Sequence, residues 1–205
     1  MNKKAHVFLY LLVALASGIG GYLVFQAHDN PVPGASSVTR SRSGSALVGT
    51  IRPDFSLPDL EARQRGPEEW NGKILILNFW ASWCPPCLQE IPAFIRLQEK
   101  YAGQDVQFVG IALQQPEDVR DFVIAKGINY PVLAGETEVI KVAEEYGNLA
   151  GTLPYTVIID RRQHIAFIKR GPLAEAEADR IINSLVGKKE NRIKSQVILK
   201  DSKSG

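Results

Sequence analysis

Apolar and polar positions in the middle of the chain follow a pattern that alternates between strands and helices. Residues 74–80 (ILILNFW) and 106–113 (VQFVGIAL) are nearly continuous apolar runs, which is typical of strands covered on both faces. Between and after these runs, apolar residues recur at helical spacing. In chain order, the predicted elements are strand 74–80, helix 84–101, strand 106–113, helix 116–126, a short segment 131–133, helix 136–146, strand 155–160, strand 164–169 and helix 174–186.

This order of elements predicts an α/β fold. Alternating strands and helices, followed by a strand hairpin and a last helix, imply a central mixed β-sheet flanked by helices on both faces. Residues 54–70, ahead of the first buried strand, predict an N-terminal β-hairpin extension. Pro92 is expected to kink the helix that contains it, because proline has no backbone N–H to donate.

Residues 1–27 are predicted to form an N-terminal membrane anchor. Two lysines precede an uncharged stretch whose apolar body, residues 7–25, would form a helix of roughly 28 Å, close to the thickness of a bilayer's hydrocarbon core. A cleavable signal peptide is the alternative, since residues 14–16 (ALA) match the small-residue cleavage pattern. Under either interpretation the positive N terminus stays in the cytoplasm and the rest of the chain is exported.

Two further segments differ in composition from the predicted domain. Residues 28–45 are rich in Pro, Gly and Ser, which predicts a flexible linker. Residues 188–205 carry six basic residues and two acidic ones. We interpret them as a disordered basic tail, with a membrane-surface tail as the alternative. Residues 46–187 then form one domain of ordinary size.

Composition excludes several classes of protein. Of the 205 residues 45% are apolar, which is too many for a disordered chain, and a net charge of +2 predicts no nucleic-acid partner. The only two cysteines, Cys84 and Cys87, cannot build the framework of a disulfide-rich scaffold. A bond between them closes a very small loop and restricts the unfolded chain little. Their spacing therefore points to chemistry.

The sequence WCPPC lies where the first buried strand turns into a helix. Cys84 stands at the predicted helix N terminus, where unpaired N–H groups and the helix dipole favour a thiolate. Cys87 follows one turn later and can attack a mixed disulfide formed at Cys84. Pro85 and Pro86 restrict the backbone between them. We expect Cys84 to be the exposed attacking group and Cys87 to be more buried.

A zinc site and a structural disulfide are two other uses of such a cysteine pair. A structural zinc site needs two more ligands, but the chain has no further cysteine, and its histidines fall in the anchor (His6), the linker (His28) and a strand start (His164). A purely structural disulfide is disfavoured by the short loop. We therefore expect no metal and no cofactor besides the redox-active disulfide itself.

Several separate motifs resemble one family. FWASWCPPC, with a buried strand before it and a helix after it, resembles the thioredoxin superfamily, and more closely its TlpA/ResA-type membrane-anchored thiol–disulfide oxidoreductases. The resemblance covers about residues 46–186. It also includes PDFSLPDL (residues 53–60), the spacing CxxCxxEIP that ends at Pro92, and the late segment GTLPYTVIID. It implies a thioredoxin fold and disulfide-exchange activity.

The resemblance also implies a substrate-binding region. Pro154 is expected to be cis and to pack beside the disulfide, which frees the backbone of Leu153 to pair with an extended client peptide. Trp83 is expected to be an exposed contact for partners, next to Pro85 and Pro86. Trp80, by contrast, is predicted to lie in the core.

The chain departs from the family pattern at two positions. Classical thioredoxins have a buried Asp six residues ahead of the first cysteine, where this chain has Asn78, so another group must take the proton from Cys87. Glu90, one helical turn after Cys87, matches an active-site acid of ResA-like proteins, and we hypothesise that it is this acid/base, with a pKa raised by burial. A solvent-facing Glu90 is the alternative. Tyr155 follows Pro154 where the cytochrome-maturation branch (CcmG/DsbE) typically carries an acid, which weakens assignment to that branch.

The function predicted from these observations is reduction of client disulfides on the periplasmic side of a bacterial cytoplasmic membrane. Such a site needs an electron source, and the resemblance suggests a membrane protein that carries electrons from cytoplasmic thioredoxin. Apocytochrome c, a copper-site assembly factor, and a sporulation or envelope protein remain open as clients. A copper metallochaperone using a distant His164 and a peroxidase are the rival functions.

Overall fold

The computed structural model describes residues 44–187. The predicted anchor over residues 1–27 and the basic tail over residues 188–205 lie outside this range, as does most of the predicted linker. Within residues 44–187, no helix is both long enough and apolar enough to span a membrane.

The described residues form seven strands and four α-helices, close to the predicted order. The strands are β1 (Leu57–Pro58), β2 (Gln64–Arg65), β3 (Ile74–Trp80), β4 (Val106–Leu113), β5 (Val132–Gly135), β6 (Tyr155–Ile159) and β7 (Ile165–Arg170). The helices are α1 (Pro85–Lys100), α2 (Pro116–Lys126), α3 (Thr137–Glu145) and α4 (residues 175–187), with short 3-10 turns at Gly44–Leu47 and Pro67–Trp70. Helix α1 runs on past Pro92, whose side chain is exposed.

Five strands form the predicted mixed sheet in the order β5-β4-β3-β6-β7. Strands β3, β4 and β5 are parallel, whereas β6 and β7 are antiparallel to their neighbours. Strand β3 lies in the centre and every one of its residues is buried, as its continuous apolar run predicted. The predicted hairpin is also present: β1 and β2 pair antiparallel, and Asp59 bridges to Leu133 of β5.

Side chains of β3 alternate between two apolar clusters, one on each face of the sheet. Leu75, Leu77 and Phe79 pack in the cluster that includes α3 and the hairpin extension. Ile74 and Ile76 pack in the cluster that includes α1 and α4. Helices therefore cover both faces of the sheet. The cysteine motif follows directly after β3, at the edge of the sheet where the parallel strands β3, β4 and β5 end.

Candidate active site

The two cysteines form a disulfide at the start of α1. The Cys84–Cys87 bond has an S–S length of 2.08 Å and a Cα–Cα distance of 5.3 Å. Cys87 is fully buried, as expected relative to Cys84. The expectation that Cys84 is exposed is wrong for this disulfide form: only 4% of Cys84 is accessible, because it packs in an apolar cluster with Trp80 and Ile91.

Local hydrogen bonds place Cys84 at the end of a tight turn. The Cys84 N–H donates to the carbonyl of Ala81 at 3.2 Å, and the Cys84 carbonyl accepts from the N–H groups of Cys87 and Leu88. Prolines occupy the first turn of α1, where an N–H would have no partner within the helix. Once the bond is reduced, the Cys84 sulfur therefore sits at the helix N terminus, where a thiolate is favoured.

Gln114 holds the same turn from the neighbouring strand, a contact that sequence reasoning missed. Its Oε1 accepts a hydrogen bond from the backbone N–H of Ser82 at 2.6 Å. Gln114 follows β4 directly, and parallel β3 and β4 end at the same edge of the sheet. The sequence signal for this contact was a polar residue, Gln114, directly after the strand that neighbours β3.

Glu90 is buried one helical turn after Cys87. It is 4% accessible, so the solvent-facing alternative is wrong. Its Oε1 accepts from Asn78 Nδ2 at 2.7 Å, and its Oε2 accepts from the backbone N–H of Leu173 at 2.9 Å. Burial raises the pKa of Glu90 to about 7, while the two donated hydrogen bonds favour the carboxylate and limit the rise.

Asn78 is itself fixed by a second hydrogen bond. Its amide also donates to Thr156 Oγ1 at 3.0 Å, and Asn78 and Thr156 are direct partners in the β3–β6 register. Asn78 thus donates two hydrogen bonds. Neither Asn78 nor Thr156 gains or loses a proton as the pH changes. Glu90 is the titratable group of this buried network.

The segment before β6 carries the expected cis bond between Leu153 and Pro154. Leu153 packs against the cluster of the two cysteines and also against the cluster on the opposite face of the sheet. The carbonyl of Pro154 accepts from the N–H of Gly171 at 2.9 Å. Within residues 44–187, Leu153 itself makes no backbone–backbone hydrogen bond, so its backbone is open to pairing with another chain.

The remaining residues singled out from the sequence lie around the motif turn. Trp83 is 62% exposed, Pro85 is exposed and Pro86 is half-buried. Trp80 is buried, as predicted, with its ring centroid 5.5 Å from that of Phe122. Trp83 thus presents an aromatic surface beside the disulfide, and Trp80 supports the sheet beneath it.

The chain is similar to known thiol-disulfide oxidoreductases. The model of the AhpC/TSA family matches residues 48–168, which is more than half of the chain. The chain belongs to the AhpC/TSA family. This AhpC/TSA-family chain is 31% identical over 142 residues to the thiol-disulfide oxidoreductase ResA of Geobacillus thermodenitrificans, covering 69% of this chain and 79% of that protein. It is 29% identical over 185 residues to the thioredoxin-like protein YneN of Bacillus subtilis, covering 87% and 96%.

A solved structure agrees with the fold of this AhpC/TSA-family chain. The crystal structure of a thiol:disulfide interchange protein of the thioredoxin family from Chlorobium tepidum aligns with a TM-score of 0.60 and 32% identity, covering 67% of this chain and 97% of that one. The thioredoxin-like fold and the resemblance to ResA-type proteins, both predicted from the motifs, are confirmed.

Proposed function

We propose that this chain is a protein thiol–disulfide oxidoreductase that reduces disulfides in client proteins. The observation that carries the proposal is the Cys84–Cys87 disulfide at the N terminus of α1, with the buried carboxyl of Glu90 one turn further along the helix. The names of its relatives, among them thiol-disulfide oxidoreductase ResA, support the same activity.

The reaction proceeds in two exchanges from the reduced site. The Cys84 thiolate attacks one sulfur of the client disulfide, forming a mixed disulfide and releasing the other client sulfur as a thiolate, which takes a proton from water. Cys87 then loses its proton, attacks Cys84 Sγ, and releases the second client thiolate. Two electrons pass to the client, and the site is left as the Cys84–Cys87 disulfide.

Glu90 is the proposed acceptor of the Cys87 proton. A pKa of about 7 leaves a substantial fraction of Glu90 ionised at neutral pH and lets it release the proton again afterwards. Asn78 and the Leu173 N–H hold its two oxygens, so these residues position the carboxyl and do not exchange protons themselves.

Client contact is assigned to the surface around the disulfide. An extended client segment would pair with the open backbone of Leu153 beside Pro154, and the accessible Trp83, Pro85 and Pro86 of the motif turn are its further contacts. Apocytochrome c, a copper-site assembly factor, and a sporulation or envelope protein are all compatible clients. Tyr155 in place of an acidic residue speaks against a CcmG/DsbE-type assignment.

The proposed location is the periplasmic side of the cytoplasmic membrane, with residues 1–27 as the anchor. This rests on the sequence of that segment. Because an oxidising compartment keeps the pair oxidised, a membrane electron donor must reduce it after each turnover. A direct copper-binding role has less support, since His164 lies directly before β7, at the opposite end of the sheet from the cysteines.

Trapping of mixed disulfides tests the proposal. Full-length Cys87→Ser, expressed in its own host, cannot resolve the mixed disulfide and should accumulate adducts that reductant releases. Cys84→Ser, the matched control, should accumulate none of them. If Cys87→Ser yields no adduct that depends on Cys84, a client-reducing role is wrong. The location is tested separately on intact spheroplasts. After reduction with a membrane-impermeant reductant, a membrane-impermeant thiol reagent should label Cys84 if the domain is exported.

A further inference from the structure

The motif turn, residues 81–84, carries the reactive cysteine between β3 and α1. Because the Cys84 N–H donates to the carbonyl of Ala81 at 3.2 Å, Ser82 and Trp83 are the two central residues of this turn. A turn of this kind uses the N–H of its last residue and leaves those of its central residues without an internal partner. Here the Ser82 N–H donates to Gln114 Oε1 at 2.6 Å. A side chain outside the motif therefore supplies the missing partner.

The backbone of Gln114 is itself fixed by the sheet. Gln114 follows β4 directly and forms an antiparallel bridge with Gly135, the last residue of β5. Strands β3 and β4 are parallel, and their last backbone pair is Trp80 with Ala112. The bond from Ser82 to Gln114 therefore links the two chain segments again, two residues beyond that pair. The motif turn is tied through it to the rigid part of the domain.

Few other contacts hold the centre of the motif turn. Among residues 44–187, only Gln114 forms a hydrogen bond with the backbone of Ser82 or Trp83. The Trp83 side chain is 62% exposed and adds little packing. On the helix side, the two prolines of the motif have no N–H to donate. The conformation of the turn therefore depends on Gln114 and on the bonds that Cys84 itself makes.

Reduction of the disulfide removes another restraint on Cys84. In the oxidised protein the bond to Cys87 ties it to the first turn of α1, with 5.3 Å between the two Cα atoms. After reduction the Cys84 thiolate is stabilised by the N terminus of α1. Because this stabilisation falls off within one helical turn, the sulfur must stay close to the helix end. The bond from Ser82 to Gln114 involves neither sulfur and can form in both redox states.

We propose that Gln114 is a positioning residue for Cys84: by holding the Ser82 N–H, it keeps the reduced Cys84 sulfur at the N terminus of α1 and so maintains its reactivity. The inference rests on the proposed function and adds to it a residue outside the WCPPC motif that controls the attacking sulfur. In this role Gln114 contacts neither the client nor the sulfur. It acts through the backbone of the motif turn.

Alkylation of Cys84 tests the proposal without a client. Full-length Cys87→Ser in detergent leaves Cys84 as the single thiol of the chain, and its rate with iodoacetamide between pH 4 and pH 10 follows the thiolate fraction. Adding Gln114→Met removes the acceptor and keeps a side chain of similar length. We expect the midpoint to rise by about 0.7 pH units, which makes alkylation about fivefold slower below the midpoint and leaves it equal well above. Loss of packing alone would lower the rate by the same factor at every pH.

A neighbouring glutamine provides the matched control. Gln115 is the next residue, is exposed, and makes no side-chain hydrogen bond at the start of α2. Gln115→Met in the same background should therefore leave the midpoint unchanged. Amide exchange of the Ser82 N–H, followed by NMR, checks the bond itself. We expect this N–H to be protected in the oxidised and the reduced wild-type protein, and to lose its protection in Gln114→Met.

The outcomes separate this inference from the proposed function. A midpoint that rises in Gln114→Met and not in Gln115→Met supports the positioning role. A Ser82 N–H that exchanges freely in the reduced wild-type protein overturns it, and this measurement needs no variant to fold. If the reduced wild-type protein reduces bis(2-hydroxyethyl) disulfide but Gln114→Met leaves the midpoint in place, the inference is wrong and the proposed function stands. If no disulfide is reduced at all, the proposed function fails and the inference fails with it.

Discussion

Asn78 Nδ2 lies 2.7 Å from Glu90 Oε1 and donates a hydrogen bond to it inside the protein. Asn78 occupies the strand position where classical thioredoxins carry a buried Asp, and Glu90 lies on the helix after the motif. In this chain the buried titratable group is therefore Glu90 on the helix, and Asn78 on the strand donates the hydrogen bond that holds its carboxyl group.

Glu90→Gln should slow the step in which Cys87 resolves the mixed disulfide. General acid–base catalysis contributes about 10²–10⁴-fold, so we expect a loss of at least tenfold at pH 7. The pH dependence centred near the pKa of about 7 should vanish as well. Stopped-flow measurement of resolution between pH 5 and pH 9 checks both. Glu99→Gln, an exposed position on the same helix, should leave the profile unchanged, and an unaltered profile in Glu90→Gln itself would contradict the role.

Stability should also depend on pH through Glu90. The pKa of Glu90 is about 7 in the folded protein, compared with the ordinary value of 4.5 that applies to the unfolded chain. The folded protein therefore binds this proton more tightly than the unfolded chain does. The resulting stabilisation is complete below pH 4.5 and is lost as the pH rises through 7, by on the order of 3 kcal/mol. Urea denaturation of the oxidised protein at pH 5 and pH 8 measures this difference, which should be much smaller in Glu90→Gln than in Glu99→Gln.

Asn78→Asp should raise the apparent pKa of the buried site. It places a second carboxyl within hydrogen-bond distance of Glu90, and two carboxylates so close cannot both ionise easily. We expect the midpoint of the pH–rate profile to move above 7 by about one unit or more. Combining Asn78→Asp with Glu90→Gln leaves a single carboxyl and should remove the upward shift. A midpoint that does not move in Asn78→Asp would refute the coupling.

The two tryptophans near the motif should respond to substitution in opposite ways. Trp83 is 62% exposed, so Trp83→Ala should change the free energy of unfolding by no more than about 0.5 kcal/mol, while kcat/KM falls for protein clients and holds for glutathione disulfide. Trp80 is 1% exposed, so Trp80→Ala should cost about 3–5 kcal/mol. Denaturation of both variants, with kinetics for Trp83→Ala, tests the pair; equal destabilisation would be inconsistent with these positions.

Much of the fold was predictable because its signals are local. The apolar runs of β3 and β4 coincide with the observed strands, since a strand buried on both faces needs apolar residues at every position. Helix α2 also begins and ends where the pattern predicted, between a proline at its start and Gly127 at its end. The disulfide pair was predictable for the same reason, because spacing within one turn brings the two sulfurs together.

Contacts between distant residues were not predictable in this way. Glu90 is held by Leu173, 83 residues later, and Asn78 by Thr156, 78 residues later. Helix periodicity placed Glu90 near Cys87 but left its burial open, because burial depends on which loop packs over the helix. The same holds for Cys84, which the motif alone suggested was exposed and which the surrounding cluster covers.

The sequence by itself determined the order of strands and helices, the reactive cysteine pair and its place at a helix N terminus, because each depends on residues within a few turns of one another. Only the tertiary structure decided the burial of Glu90 and Cys84, the hydrogen bond from Ser82 to Gln114, and the hydrogen bond from Leu173 to Glu90. Those features arise where separate segments meet at one edge of the sheet, and the register of that meeting is set by packing across the whole domain.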